Sequence, residues 1–329
     1  MFRALRFLAV CGGWVACAAL AAGNAQAEQT ARARNMALLG HDALQGRGAY
    51  QPVIERQGGR WIAYVGHHAG EALNTLNGRR EPNGTSILDV SDPRAPRLLA
   101  HLPADGGAQM VRLCSGDALP RGERGRWYLL RSRGHSAHEL WDVTEPQTPR
   151  FVVTVSDGLN DTHKSWWECD SGIAYLVSGV PGWRTSRMTQ IFDLSEPRRP
   201  RHVRDFGLPG QQPGARGAAP VGLHGPISAA PARNRVYFGY GVNRGGVLQI
   251  VDREKLLRGA PAPTEQNLLA PQVGRFDLPP DYGAHTTLPV LGIPTDRGRR
   301  DYVFVVNEAL AYGCAETRQK VWVIDVSDE

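Results

Sequence analysis

At 329 residues the chain is long enough for one large β domain or two ordinary ones. Its formal net charge is +6, spread along the sequence, and its only lysines are Lys164, Lys255 and Lys320, so the basic residues read as a solvated arginine surface and not as a nucleic-acid footprint. Glycine (38) and proline (23) are plentiful enough for many short strands and tight turns, while no phosphate-binding glycine loop, nucleophile elbow or zincin helix supports a nucleotide or hydrolase reading.

The N-terminus reads as a targeting segment. Arg3 and Arg6 precede an apolar stretch over 7–22, and Ala25-Gln26-Ala27 supplies a small-x-small cleavage site. Residues 1–27 are therefore expected to be a signal peptide. The mature protein would be exported, periplasmic or extracellular, with no transmembrane span once the signal is removed. Cys17 after Val15-Ala16 has the look of a lipoprotein site, but Trp14 fits it poorly and Ala25-Gln26-Ala27 competes, so soluble export is the expectation. Residues 28–45 form a polar arm with an apolar patch at Met36, Leu38 and Leu39.

One phrase then recurs. Residues 87–93 read Ile-Leu-Asp-Val-Ser-Asp-Pro; 140–146 read Leu-Trp-Asp-Val-Thr-Glu-Pro; 191–197 read Ile-Phe-Asp-Leu-Ser-Glu-Pro. A looser copy lies at 249–255 and a last one at 323–329, which places the key aspartates at Asp89, Asp142, Asp193, Asp252 and Asp325. An apolar strand closed by a Ser/Thr-carboxylate turn, repeating at roughly 50 residues, is the mark of propeller blades. Short β-branched and aromatic runs precede each copy, at 61–65, 127–130, 173–177, 236–240 and 302–306. The expected fold is all-β, a propeller of four-stranded blades with about five blades at 46–103, 104–157, 158–208, 219–275 and 279–329. Glu329 falls where the proline of the phrase is due, so the fifth blade reads as incomplete and the chain as cut before closure. Only residues 253–257 suggest a turn of helix.

The phrase and several longer stretches resemble the bacterial LVIVD-repeat proteins. The stretches are Gly106-Gly-Ala-Gln-Met-Val111, His163-Lys-Ser-Trp-Trp-Glu-Cys-Asp170, Leu208-Pro-Gly-Gln-Gln-Pro213 and Gly283-Ala-His-Thr-Thr287. The resemblance covers nearly all of the mature chain. It implies an exported propeller continuing beyond this chain's end, with no established reaction attached. A more distant similarity is to the selenium-binding proteins and methanethiol oxidases, propellers with histidine-rich metal sites, although no motif specific to them stands here.

Aligning the units on their innermost segments places Gln51, Gln109, His163, His224 and His285 at equivalent positions. The inner strand of each blade lines the central channel, so these residues are expected to form a ring at its mouth. Three imidazoles with an open position suit a transition metal such as Zn, Cu or Fe, with His163, His224 and His285 as ligands. The plainer alternative is a water-lined polar channel. Loops entering the same face carry His67, His68, His135, His138, Arg184 and Glu308 as rim candidates. Two functions fit: a propeller binding a small molecule, glycan or protein through its top face, or a metal-dependent enzyme, an oxidoreductase among the options.

Three cysteines remain after signal removal: Cys114, Cys169 and Cys314. Cys114 and Cys169 end the inner strands of adjacent blades, away from the ring. Strands ~4.8 Å apart would bring them together as a disulfide. Cys314 would find any partner in chain beyond residue 329.

Overall fold

The computed structural model describes residues 35–311, 313, 315–317 and 319–328, so the expected signal segment and Cys314 lie outside the described residues. The chain divides into two compact units at Leu38/Leu39, and every helix and strand described belongs to the second. After one 3-10 turn at Leu44–Gly46, β1 (Ala49–Gln57) and β2 (Arg60–His67) open the first sheet. A small hairpin, β3 (Glu71–Asn74) and β4 (Arg79–Pro82), intervenes before β5 (Gly84–Asp89) and β6 (Arg97–Pro103) complete it in the order β1-β2-β5-β6. The second sheet is β7 (Val111–Ser115), β8 (Trp127–Arg133), β9 (Ala137–Asp142) and β10 (Arg150–Ser156). The third is β11 (Trp166–Trp167), β12 (Ile173–Ser178), β13 (Met188–Asp193) and β14 (Arg201–Phe206). The fourth runs β15 (Leu223–Ser228), β16 (Arg235–Tyr240) and β17 (Val247–Asp252), then helices α1 (Arg253–Arg258) and α2 (Glu265–Leu269), then β18 (Gln272–Asp277). The fifth has three strands, β19 (Thr286–Thr295), β20 (Gly298–Val306) and β21 (Val321–Asp325).

All pairings are antiparallel, and the first strands pack in succession, β1 on β7, β7 on β11, β11 on β15 and β15 on β19. The fold is the all-β propeller of four-stranded sheets that the repeat predicts. The helical turn expected at 253–257 is α1; α2 was not legible.

Why the second strands read as unbroken apolar runs follows from where the core lies. The second, third and fourth sheets are each sandwiched between two others, so both of their faces are buried. In β8, Leu129 packs with Ile62, Tyr64 and Ile87 of the first sheet, whereas its neighbour Leu130 packs with Leu176 and Phe192 of the third. In β16, Phe238 packs with Tyr175 and Phe206, and Tyr237 with Val303 and Val305. Each such side chain contributes about 1.5–3 kcal/mol by leaving water.

The repeated aspartates are turn devices. Asp89, Asp142, Asp193 and Asp325 each accept a hydrogen bond from the backbone N–H two residues on, at Ser91, Thr144, Ser195 and Ser327. Asp252 instead caps α1, accepting from the Lys255 N–H at 2.9 Å. An arginine from a neighbouring strand or turn pairs with most of them, such as Arg126 with Asp142 and Arg201 with Asp193.

Two further links tie the inner strands. Cys114 and Cys169 form a disulfide across the second and third sheets, with Cα atoms 5.3 Å apart. Glu168 is buried and receives Arg253 from the fourth sheet, with Nε at 2.9 Å from Oε1 and Nη2 at 2.5 Å from Oε2. Ser171, Ser228 and Tyr175 donate their hydroxyls to the same carboxylate.

Candidate functional site

The ring residues stand where the chain enters each inner strand. His163 reaches this point on an extended segment whose N–H bonds the Val177 carbonyl, and His224 sits at a bulge between Leu223 and Gly225 of β15. His285 directly precedes β19, its N–H bonded to the Val306 carbonyl. The bulge in β15 re-aims its residue toward the axis, as bulges do next to sites.

These side chains meet in pairs along a row, His163 with His224, His224 with His285, and His285 with Glu308. His163 Nε2 lies 2.9 Å from His224 Nε2, and the His224 and His285 rings stack with centroids 3.8 Å apart. Glu308, after β20, brings Oε2 to 3.4 Å from His285 Nε2. One ligand atom each from His224, His285 and Glu308 fall within 4.8 Å of one another. Gln109 completes the chain of contacts, with Oε1 2.6 Å from His163 Nδ1 and Nε2 2.9 Å from His68 Nδ1.

The hydrogen-bond partners fix the tautomer of His224 and tie that of His163 to Gln109. His224 Nδ1 is 2.7 Å from the carbonyl oxygen of His285, which can only accept, so a neutral His224 carries its proton there and keeps the Nε2 lone pair. With Gln109 Oε1 facing His163, as here, Nδ1 carries the His163 proton and Nε2 keeps its lone pair; with the amide turned over, His163 Nε2–H donates to His224 Nε2. In the first arrangement two lone pairs face each other. A shared proton is a poor solution: burial, reinforced by the charges of Arg187 and Lys164, pushes His163 down to about 2. Burial and the neighbouring histidines push His224 lower still, and burial with Lys164 and Arg187 brings His285 to about 4. All three imidazoles are neutral at pH 7, the state in which imidazole ligates metal.

Below the ring lies a cavity of about 220 Å³ bounded by all five sheets, its walls including Gln51, Arg112, Lys164, Trp166, Ile227 and Thr286. Lys164 donates to Thr286 Oγ1 at 2.6 Å, and burial followed by the Arg112 charge lowers its ammonium to about 8. Arg112 donates Nε to the Ser165 carbonyl at 2.9 Å and stands over the Trp166 ring at 4.9 Å.

Several expectations need correction. Gln51 lines this cavity along with His285 and stands outside the hydrogen-bonded chain of Gln109, His163 and His224; β1 slips register between Tyr50 and Val53, and Tyr50 stands beside His163. Its ring lies edge-on to His68 at 5.0 Å and 6.3 Å from His163. His67 is not on a rim, because β2 extends through it: it is buried, with Nδ1 on the Gly48 carbonyl and Nε2 on Ser86 Oγ, both at 2.8 Å. His138 is fully buried in β9 beside the Val177 backbone, and burial pushes its imidazole down to about 4. Arg184 clamps a loop, donating to the carbonyls of Gly210 and Gly217. His135 is exposed, 3.9 Å from Asp161 and apart from the ring contacts. Of the rim candidates, His68 and Glu308 join the site. Tyr50, Lys164 and Arg112 were missed; the sequence signal was a rare lysine beside His163 and an arginine inside the apolar run of β7.

No family model matches the chain, and no curated protein does. Among solved structures, hydrazine synthase of Kuenenia stuttgartiensis is 14% identical with a TM-score of 0.41, covering 81% of this chain and 69% of that one. A glycosyl hydrolase from Bacteroides ovatus is 10% identical with a TM-score of 0.39, covering 85% and 84%. CoXyl43, a β-xylosidase/α-arabinofuranosidase from a compost metagenome, is 12% identical with a TM-score of 0.37, covering 87% and 93%. Likenesses this remote assign no chemistry to the ring.

Proposed function

We propose that this protein is an exported LVIVD-type propeller that holds a divalent transition metal at its channel mouth and presents it to a small molecule. His163, His224 and His285 would be the ligands, with Glu308 beside them and Gln109 fixing the tautomer of His163. The observation carrying this reading is the approach of the two Nε2 atoms to 2.9 Å. A metal about 2.0–2.1 Å from each nitrogen would subtend about 90° there, the cis angle of square-planar or octahedral geometry. Neutral imidazoles with an open position are the donor set of a reactive metal site and not of a closed structural one.

A second reading is a metal-free binding scaffold. It draws on the cationic groups near the ring, Arg187, Lys164 and Arg112, whose field opposes a bound cation. In that case the Gln109 amide turns over and donates to His163 Nδ1, and His163 Nε2–H donates to His224. Elemental analysis of periplasmically expressed protein separates the two. About one metal per chain, lost in both His163→Ala and His224→Ala, supports the metal site. Protein that is metal-free as purified and gives no ligand-field spectrum with added Co(II) rejects it.

A further inference from the structure

The cavity below the ring has a composition that metal binding does not explain. Lys164 is only 5% exposed, yet of its three ammonium donors one is used, on Thr286 Oγ1. Arg112 spends Nε on a backbone carbonyl, and its two terminal nitrogens have no hydrogen-bond partner among the described residues. Neither cation has a carboxylate oxygen within 4.0 Å among the described residues. Lys164 is buried and Arg112 part-buried, and two like charges so placed side by side are costly unless something compensates them. Other buried arginines are provided for: Arg253 meets Glu168, Arg131 meets Glu139, and Arg204 spreads its terminal nitrogens over the carbonyls of Leu256 and Asn267.

The remaining walls combine an apolar side with the polar Gln51, His285, Thr286 and Thr287. Trp166, Pro226 and Ile227 line the cavity, and Gly225 leaves it flat beside Lys164. A Cβ on Gly225 would stand 2.8 Å from Lys164 Cδ, so the glycine is what lets the lysine lie across the channel. About 220 Å³ is space for roughly seven waters at ~30 Å³ each, or for one small organic molecule. An apolar enclosure with a few convergent charged donors is how small-ligand pockets are built.

We propose that this cavity binds a small organic carboxylate, its carboxylate held between Lys164 and Arg112 and its body against Trp166. His285 shares the cavity wall, so a ligand held there lies beside the ring. The proposal goes beyond the metal site and does not depend on its occupancy.

Calorimetric titration of the full chain, stripped of metal with chelator, tests it with benzoate as probe. Benzoate is expected to bind with Kd on the order of 1 mM or tighter, and the neutral analogue benzyl alcohol at least about tenfold more weakly. Lys164→Met and Arg112→Met should each weaken benzoate about tenfold or more with circular dichroism unchanged, whereas His163→Ala should retain binding, which separates this site from the metal. Lys164→Gln serves if the methionine variant misfolds, and the comparison of benzoate with benzyl alcohol needs no variant. Absence of benzoate binding at about 10 mM, equal binding of benzyl alcohol, or indifference to both Lys164 variants overturns the proposal. Binding of inorganic phosphate in place of benzoate overturns the carboxylate assignment.

Discussion

His163 and His224 are 61 residues apart in sequence and sit on neighbouring sheets, yet their Nε2 atoms lie 2.9 Å from each other. Gln109, at the entry to the second sheet, determines whether that meeting is of two lone pairs or of a donor with an acceptor. Gln109→Leu removes the acceptor that holds the proton on His163 Nδ1. Metal affinity, measured by chelator competition, should fall about 10–100-fold, the usual cost of losing such an outer partner. Gln109→Glu keeps the acceptor and should retain most of the affinity. Equal affinities in wild type and Gln109→Leu would remove Gln109 from the site.

Glu168 gives a pH-dependent prediction. Burial alone would raise its carboxyl, but hydrogen bonds from Arg253, Ser171 and Ser228 prevail and hold it below the ordinary 4.5. A lowered folded pKa means the unfolded state binds the proton more readily. The stabilisation is then fully present above about pH 4.5 and is lost as pH falls through the lower folded value. Acid unfolding followed by circular dichroism should steepen below that point. Glu168→Gln should remove that component and cost about 3–5 kcal/mol at pH 7, because Arg253 is left without its partner.

The Cys114–Cys169 disulfide closes a separation of 55 residues. Reduction, or paired Cys114→Ala and Cys169→Ala substitution, should lower unfolding free energy by about 2–4 kcal/mol. Denaturant titration with and without reductant measures it; no change would show that the two cysteines are thiols in the folded protein.

Gly225→Ala tests the floor of the channel. The added methyl displaces the Lys164 side chain, so benzoate binding should weaken several-fold while the far-UV spectrum stays unchanged, provided Lys164 is where the charge is read. Unchanged binding would place the carboxylate elsewhere.

What the sequence made legible was whatever repeats. The aspartate phrase located the third strands because one hydrogen-bonded turn closes four of the five copies. The inner-segment alignment brought Gln109, His163, His224 and His285 to one place. It missed by one residue in the first sheet, because the slip after Tyr50 is a backbone event that leaves no period in the sequence. His67 was misplaced because nothing in Gly66-His67-His68 marks where β2 stops; burial distinguishes the two histidines, and burial is set by sheets distant in sequence. Lys164 and Arg112 were overlooked for a related reason: their lack of acidic partners is a property of the assembled channel.

β11 is the shortest inner strand, two residues long, and it has little ladder of its own. The segment around it carries His163 and Lys164 at one end and Glu168 and Cys169 at the other. It is slung between its neighbours, covalently to the second sheet and ionically to the fourth. The thiol-disulfide balance of the surrounding compartment and the acidity acting on Glu168 therefore both bear on a strap that ends in a ring histidine. Slackening either anchor should register at the channel mouth before it registers in the hydrophobic core.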